Sequence, residues 1–163
     1  MHQIIDNFLP EEQYNIIAST MMSADFSWYY ANSVLSKDLL CEEQYNYQFG
    51  HSFYYQYGFQ SANSNIIVPI LEKLSPIAIL RIKGILLPRT EKNIEHGFHQ
   101  DNTNKTNVAI YYVNTNDGYT KFADGAIINS VANRLVLFNS EEYHTGATCT
   151  DEKVRVAINF NYF

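Results

Sequence analysis

The sequence predicts an α+β protein with a dominant β part, in which helices come first and strands follow. Three observations lead there. Residues 10–22 carry apolar side chains at helical spacing. From residue 78 onward the chain breaks into short β-branched or aromatic runs, and Asn, Asp and Gly turns separate those runs. At 163 residues, one domain with a sizeable core is expected. Hydrophobic residues make up 46% and charged residues 17%, which favours a folded globule over disorder. Thirteen Tyr and ten Phe point to an interior built from large rings, many with polar tips.

Each element follows in order. Asp6 and Asn7 are candidate turn or cap residues, Pro10 suits a first helical turn, and Glu11 and Glu12 suit its positive end. A helix is therefore expected over about 10–22. "FSWYYANSVL" and "QFGHSFYYQYG" read as strands. "SANSNIIVPILEKLS" reads as a second helix with Ser64 or a neighbour as its cap, and Pro69 either shortens it or lies in its first turn. "AILRIKGILL" (78–87), "TNVAIYYVN", "YTKFADG", "AIINS", "RLVLFNS" and "KVRVAINFNYF" read as strands, with turns at "TNDG" and at Asp124-Gly125. This pattern implies a sandwich or barrel. Residues 1–77 form a support of helices and strands, and 78–163 form the core.

Bulk properties exclude several partners. A net charge of −6 argues against nucleic acid, whose phosphates need a basic face. No apolar run approaches the length that spans a bilayer, so no membrane partner is expected. The opening "MHQIIDNFLPEEQ" turns acidic too early for a secretory signal, and a cytoplasmic, reducing setting follows as the default. In that setting Cys41 and Cys149 read as two buried thiols rather than a disulfide.

The chemistry concentrates in "IEHGFHQDNTNKTNVAIYYVN", residues 94–114. If residues 98–101 are extended, His99 and Asp101 project from one face, because side chains alternate along a strand. His144, in "SEEYHTG" after the strand "RLVLF", supplies a third donor. Two His and one carboxylate occupy one face of an octahedral ferrous ion and leave three positions open, whereas a structural zinc wants four closed ligands. Eleven residues after His144, "DEKVRVAINF" alternates Val154, Val156, Ile158 and Phe160 with Arg155, Ala157, Asn159 and Asn161. An arginine on that polar face can fork onto a carboxylate, and Ala157 leaves room for a ligand. Taken alone, Arg155 reads as a surface residue, since arginines are mostly exposed. Ile110 and Tyr112 share one face of their strand.

In order, "FHQDN", "IYYVN", "DGYTKF", "YHTG" and "RVAINF" resemble the iron(II)- and 2-oxoglutarate-dependent oxygenases, in particular the prolyl 4-hydroxylase-like branch. The resemblance spans about residues 78–163, and the "DNFLPEEQ" opening is similar as well. It implies a double-stranded β-helix (jelly roll) with N-terminal helices packed on one sheet. It implies His99, Asp101 and His144 as Fe(II) ligands, and Arg155 as partner of the far carboxylate of 2-oxoglutarate. Tyr112 matches a tyrosine that assists that carboxylate, and Ile110 is counted with the same site. The implied reaction uses dioxygen to hydroxylate an unactivated C–H bond of a small-molecule or peptide substrate, such as a prolyl residue or a free amino acid. Asp101 speaks for hydroxylation over halogenation. Asn161, six residues after Arg155, departs from the nucleic-acid dealkylases, which carry arginine there. Leu86 or Leu87 stands where relatives often hold a tyrosine. The alternative is a cupin-like metal-binding jelly roll that reacts differently or does not turn over.

Other residues read more plainly. His96 is expected in a loop at the entrance and His51 in a strand with a local hydrogen bond, while Arg81 and Lys83 share one strand face that either lines the pocket or, as the plainer reading, is solvated. Residues 87–97 are a candidate mobile substrate loop. No helix is expected beyond Phe163, which favours a compact substrate.

Overall fold

The structure is a computed structural model that describes residues 2–34 and 42–163. The reading of Cys41 as a buried thiol lies outside the described residues. The elements run β1 (Gln3–Ile5), α1 (Glu11–Met21), β2 (Tyr29–Ala31), β3 (Gln48–Tyr55), β4 (Gly58–Phe59) and α2 (Val68–Leu74). Then follow β5 (Ile79–Pro88), β6 (Asn107–Tyr112), β7 (Tyr119–Phe122), β8 (Ile127–Asn129), β9 (Arg134–Asn139), β10 (His144–Gly146) and β11 (Val154–Tyr162). The larger sheet has the order β1-β9-β6-β11-β5-β3-β2, with β4 beside β3, and the smaller has the order β10-β7-β8. All pairings are antiparallel. This is the jelly roll that the sequence resemblance implies.

Strand β11 lies between β6 and β5, and from Arg155 to Tyr162 it is buried throughout. Its apolar residues Val156, Ile158, Phe160 and Tyr162 face a core that includes Ile17 and Met21 of α1 and Ile70 of α2. The helices therefore cover one face of the larger sheet. Ala157, on the opposite face, joins Ile110, Tyr112, Phe122, Ile128 and Phe138 in a second core. The two-residue alternation of β11 thus separates a helix-packed layer from an interior that can hold polar chemistry.

The N-terminal readings need correction. Neither Asp6 nor Asn7 caps α1: the N-cap is Pro10, and no side chain bonds the helix end. Asp6 instead pairs with Arg134, and Asn7 takes a left-handed φ of 50°. The expected second helix begins as a 3₁₀ turn, Ser64–Ile67, and α2 starts only at Val68 with Pro69 in its first turn. Ser64 is not its cap; its hydroxyl donates to the carbonyls of Phe53 and Ser61. His51 bonds the Ser27 carbonyl and the Ser61 hydroxyl, both at 2.7 Å, and so ties β3 to its flanking segments. Cys149 is buried as expected. No described helix is long and apolar enough to cross a membrane.

One residue joins the N-terminal segment to the sheet. Asn133 is buried with φ 60°, a conformation that Asn tolerates better than most residues. Its Oδ1 accepts from Leu9 N–H and from the Tyr111 hydroxyl, each at 2.9 Å, and its Nδ2 donates to Leu9 C=O at 2.8 Å. Asn133→Ala strands buried polar groups and puts in the left-handed region a residue that tolerates it less well than Asn. A loss of about 3 kcal/mol is expected in urea unfolding; a change within about 0.5 kcal/mol would contradict this reading.

Candidate metal centre and cavity

His99 lies in the loop between β5 and β6, and His144 opens β10. Their backbones exchange two hydrogen bonds, His99 N–H to His144 O at 2.9 Å and the reverse at 3.0 Å. That pairing sets the two imidazoles side by side, with ring centroids 4.5 Å apart. Asp101 follows two residues later and brings Oδ1 to 3.9 Å from His99 Nε2. One donor atom from each of the three lies within 4.8 Å of the others, close enough to grip one ion. The extended-segment argument for His99 and Asp101 holds only in part, because residues 100–104 form no regular strand.

Two asparagines hold Asp101 in place. Its Oδ2 accepts from Asn159 Nδ2 at 2.8 Å and from Asn161 Nδ2 at 3.0 Å, and Arg81 Nη2 stands 3.4 Å from Oδ1. The sequence reading set these amides on the polar face of β11 but gave them no partner. Their i, i+2 spacing behind Arg155 is the signal that could have found them.

The donor set fits a divalent ion in three respects. Nδ1 of His144 faces the Glu142 carbonyl at 3.1 Å, and Nδ1 of His99 faces the Gly97 carbonyl at 3.4 Å. A carbonyl there retains the proton on Nδ1 and leaves the Nε2 lone pair for metal. Burial, reinforced by the neighbouring His144, pushes His99 down to about 4, so its ring is neutral near pH 7. Burial would raise the Asp101 carboxyl, but the neighbouring His144, the two amides and Arg81 outweigh it and hold it below its ordinary range. A neutral imidazole and an ionised carboxylate are the forms that bind metal.

A cavity of about 210 Å³ opens beside these donors. Arg155 lines it and is 4% exposed, so its reading as a surface residue is corrected. The guanidinium Nε donates to Ser130 Oγ at 2.8 Å and Nη2 donates to Thr120 Oγ1 at 3.2 Å. Gly118 makes room for it, since a Cβ there would meet Arg155 Cδ at 2.7 Å. No described carboxylate lies within ion-pair reach of this buried cation. Burial pulls its pKa below the ordinary value, yet arginine remains charged in proteins.

Ile110 lines the cavity, but Tyr112 does not reach it. Tyr112 is fully buried behind Arg155, with the guanidinium carbon 5.5 Å from its ring centre. Its hydroxyl donates to Thr120 Oγ1 at 2.7 Å, and burial raises its pKa, so that it stays a donor. Thr120 is the residue that faces the cavity, and the sequence reading missed it. Both acceptor positions of its hydroxyl are taken, by Tyr112 and by Arg155, so its own hydrogen is left for a ligand.

Four other expectations change. Arg81 and Lys83 line the cavity rather than a solvated face. His96 lies inside rather than at the entrance: it lines the cavity and is 2% exposed, with Nδ1 3.1 Å from the Gly146 carbonyl. Burial lowers its pKa. Of the candidate mobile loop 87–97, residues 87 and 88 belong to β5. Thr90, Asn93 and Ile94 bond to Thr148, and Glu95 pairs with Lys121 at 3.0 Å, so the rest is tied down. Leu87 lines the cavity and Leu86 packs on the helical side.

No family model matches the sequence, and no curated protein matches it. Solved structures are similar. A prolyl hydroxylase from Trichoplax adhaerens, in complex with a hypoxia inducible factor oxygen degradation domain peptide fragment, is 16% identical with a TM-score of 0.74, over 99% of this chain and 83% of that one. A Pseudomonas putida prolyl-4-hydroxylase is 16% identical with a TM-score of 0.65, over 99% and 91%. The viral collagen prolyl hydroxylase of Paramecium Bursaria Chlorella virus-1, as its 2OG complex, is 11% identical with a TM-score of 0.65, over 98% and 94%. At these identities the likeness establishes a shared fold.

The depressed His99 has a measurable consequence. Its ordinary value is 6.5 and its folded value about 4, so between them the unfolded chain binds more protons. The metal-free protein is expected to lose stability as pH falls through that window, and His99→Gln to flatten part of the slope. Urea midpoints at pH 7 and pH 5 decide it: equal pH dependence in the two proteins would count against the assignment.

Proposed function

We propose that the chain is an iron(II)- and 2-oxoglutarate-dependent dioxygenase that hydroxylates an unactivated C–H bond. The carrying observation is one buried cavity that joins a His99-Asp101-His144 donor set to a buried arginine with no carboxylate partner among the described residues. His99, Asp101 and His144 would hold Fe(II). Bound there, the ion would supply the activation of dioxygen against the keto acid, which would leave as succinate and carbon dioxide, one oxygen atom going to succinate and the other to the substrate.

The protein's own groups bind and orient. Asn159 and Asn161 fix the Asp101 carboxylate from behind and leave Oδ1 toward His99. Ser130 and Thr120 clamp the Arg155 guanidinium, so its remaining N–H groups and the spare Thr120 hydrogen converge on one carboxylate-sized place. Tyr112 acts at one remove, by setting the Thr120 hydroxyl. Ile110, Leu87, Ile85 and Ala157 line the cavity with hydrocarbon, which excludes water and strengthens the contact to Arg155. The same fold carries peptide hydroxylases, which supports a peptide or small-molecule substrate. A cupin-like binding module without turnover leaves the clamped cation unexplained.

Anaerobic Fe(II) and 2-oxoglutarate are expected to give a weak visible charge-transfer band that His99→Ala abolishes. Arg155→Ala removes a desolvated charge-assisted contact worth about 2–5 kcal/mol. It is therefore expected to raise the 2-oxoglutarate needed for half-maximal succinate release by roughly thirtyfold or more while Fe(II) still binds. Thr120→Val is expected to cost about tenfold, as a hydrogen bond to a charged group. Unchanged succinate release from Arg155→Ala at low 2-oxoglutarate would refute the proposal.

A further inference from the structure

The cavity holds more positive charge than the proposed co-substrate uses. Among the described residues, Arg81, Lys83 and Arg155 line it against the one carboxylate of Asp101, an excess of two positive charges from these side chains. A divalent ion adds two positive charges and a doubly charged diacid removes them, so the excess remains. This stands out in a chain whose net charge is −6.

The excess sits on β5. Arg81, Lys83, Ile85 and Leu87 alternate along it and all face the cavity. Lys83 crosses over Gly50 of the neighbouring strand β3: a Cβ at position 50 would lie 2.8 Å from Lys83 Cε and 3.6 Å from Nζ. The bare backbone of Gly50 thus cradles the lysine, and any side chain there would push it aside. Lys83 makes no hydrogen bond or ion pair with a described residue. Arg81 touches Asp101 with Nη2, while its Nε is buried and lacks a partner. Burial, and then Arg81, push the Lys83 pKa down, a cost that a bound anion would relieve.

Register places this pair away from Arg155 and close to the metal donors. Arg155 lies opposite Leu87, whereas Lys83 lies opposite Asn159, whose amide holds Asp101. Four residues of strand, roughly 13 Å of backbone, separate the two positions, although the lysine side chain leans back over Gly50, which pairs with Ile85. Arg155 is clamped by Ser130 and Thr120 and Lys83 is not, so the two are distinct cationic places.

We infer that Lys83, with Arg81 beside it, is a subsite for the carboxylate of the substrate, which makes the substrate a small amino-acid-like acid rather than a neutral stretch of peptide. The inference rests on the oxygenase reading. The arginine fork and the lysine ammonium suit a carboxylate.

The test uses the whole chain loaded anaerobically with Mn(II) and saturating 2-oxoglutarate, titrated calorimetrically with the standard L-amino acids and with their primary amides. At least one free acid is expected to bind, at least tenfold more tightly than its amide. Lys83→Met is expected to weaken that acid about tenfold to a hundredfold and to erase the preference. Lys83→Arg should retain it, Gly50→Ala should weaken it, and 2-oxoglutarate affinity should not change in Lys83→Met. Amides that bind as well as acids, a preference that survives Lys83→Met, or no acid binding while 2-oxoglutarate binds normally would each overturn the subsite alone. Failure of 2-oxoglutarate to bind the unaltered protein would instead overturn the oxygenase reading, and the subsite with it.

Discussion

Strand β11 is buried on both faces, and a buried polar face must find partners. Val156, Ile158 and Phe160 discharge one face into the helix-packed core without difficulty. The other face carries a guanidinium and two amides, and the rest of the site is arranged around their satisfaction. Asn159 and Asn161 take up Asp101, which fixes one metal donor. Arg155 takes Ser130 and Thr120, which are neutral, so its charge is left for a ligand. One alternating strand therefore orients both the Asp101 carboxylate and the buried guanidinium.

The electrostatics of the cavity follow from that arrangement. An isolated buried cation is costly, and partners that hydrogen-bond without neutralising leave much of the cost in place. Such a group is poised for an anion that arrives already desolvated. The same logic holds at the other end, where Lys83 is given room by Gly50 but no ion pair among the described residues, and Asp101 acts on it only at longer range. Asp101 sits at that end too, held ionised against its own burial by Asn159, Asn161 and Arg81 among its neighbours. The cavity is thus cationic inside an acidic protein.

The support around the site is rigid where the chemistry needs precision. The loop that brings in His99 is anchored through backbone pairing with His144 and through contacts to Thr148 and Lys121. Both imidazoles turn Nδ1 to a backbone carbonyl, which sets their orientation before any ion arrives. Tyr112 contributes in the same way, through Thr120.

Much of this was legible in the sequence. Period-two alternation in "VRVAINFN" announced a strand with one apolar and one polar face, and the order of short runs and turns announced a mainly β fold. The spacing of His99 and Asp101, and the position of His144 just past a strand, named three donors that the fold does bring together. What the sequence did not decide was depth. Alternation tells which residues share a face, but not whether that face meets water or another sheet. Alternation alone therefore left open whether Arg155, Arg81 and Lys83 face a pocket or water, and His96 lies deeper than a loop at the entrance. Nor did it show partners distant in the chain: Asn159 with Asp101, Thr120 between Tyr112 and Arg155, Gly50 beneath Lys83. The sequence by itself determined the strands, their two faces and the donor types, because these depend on local periodicity and side-chain chemistry. Only the tertiary structure decided which face closes into a cavity and which polar groups meet there, because both depend on how strands far apart in the chain pair and how the sheets stack.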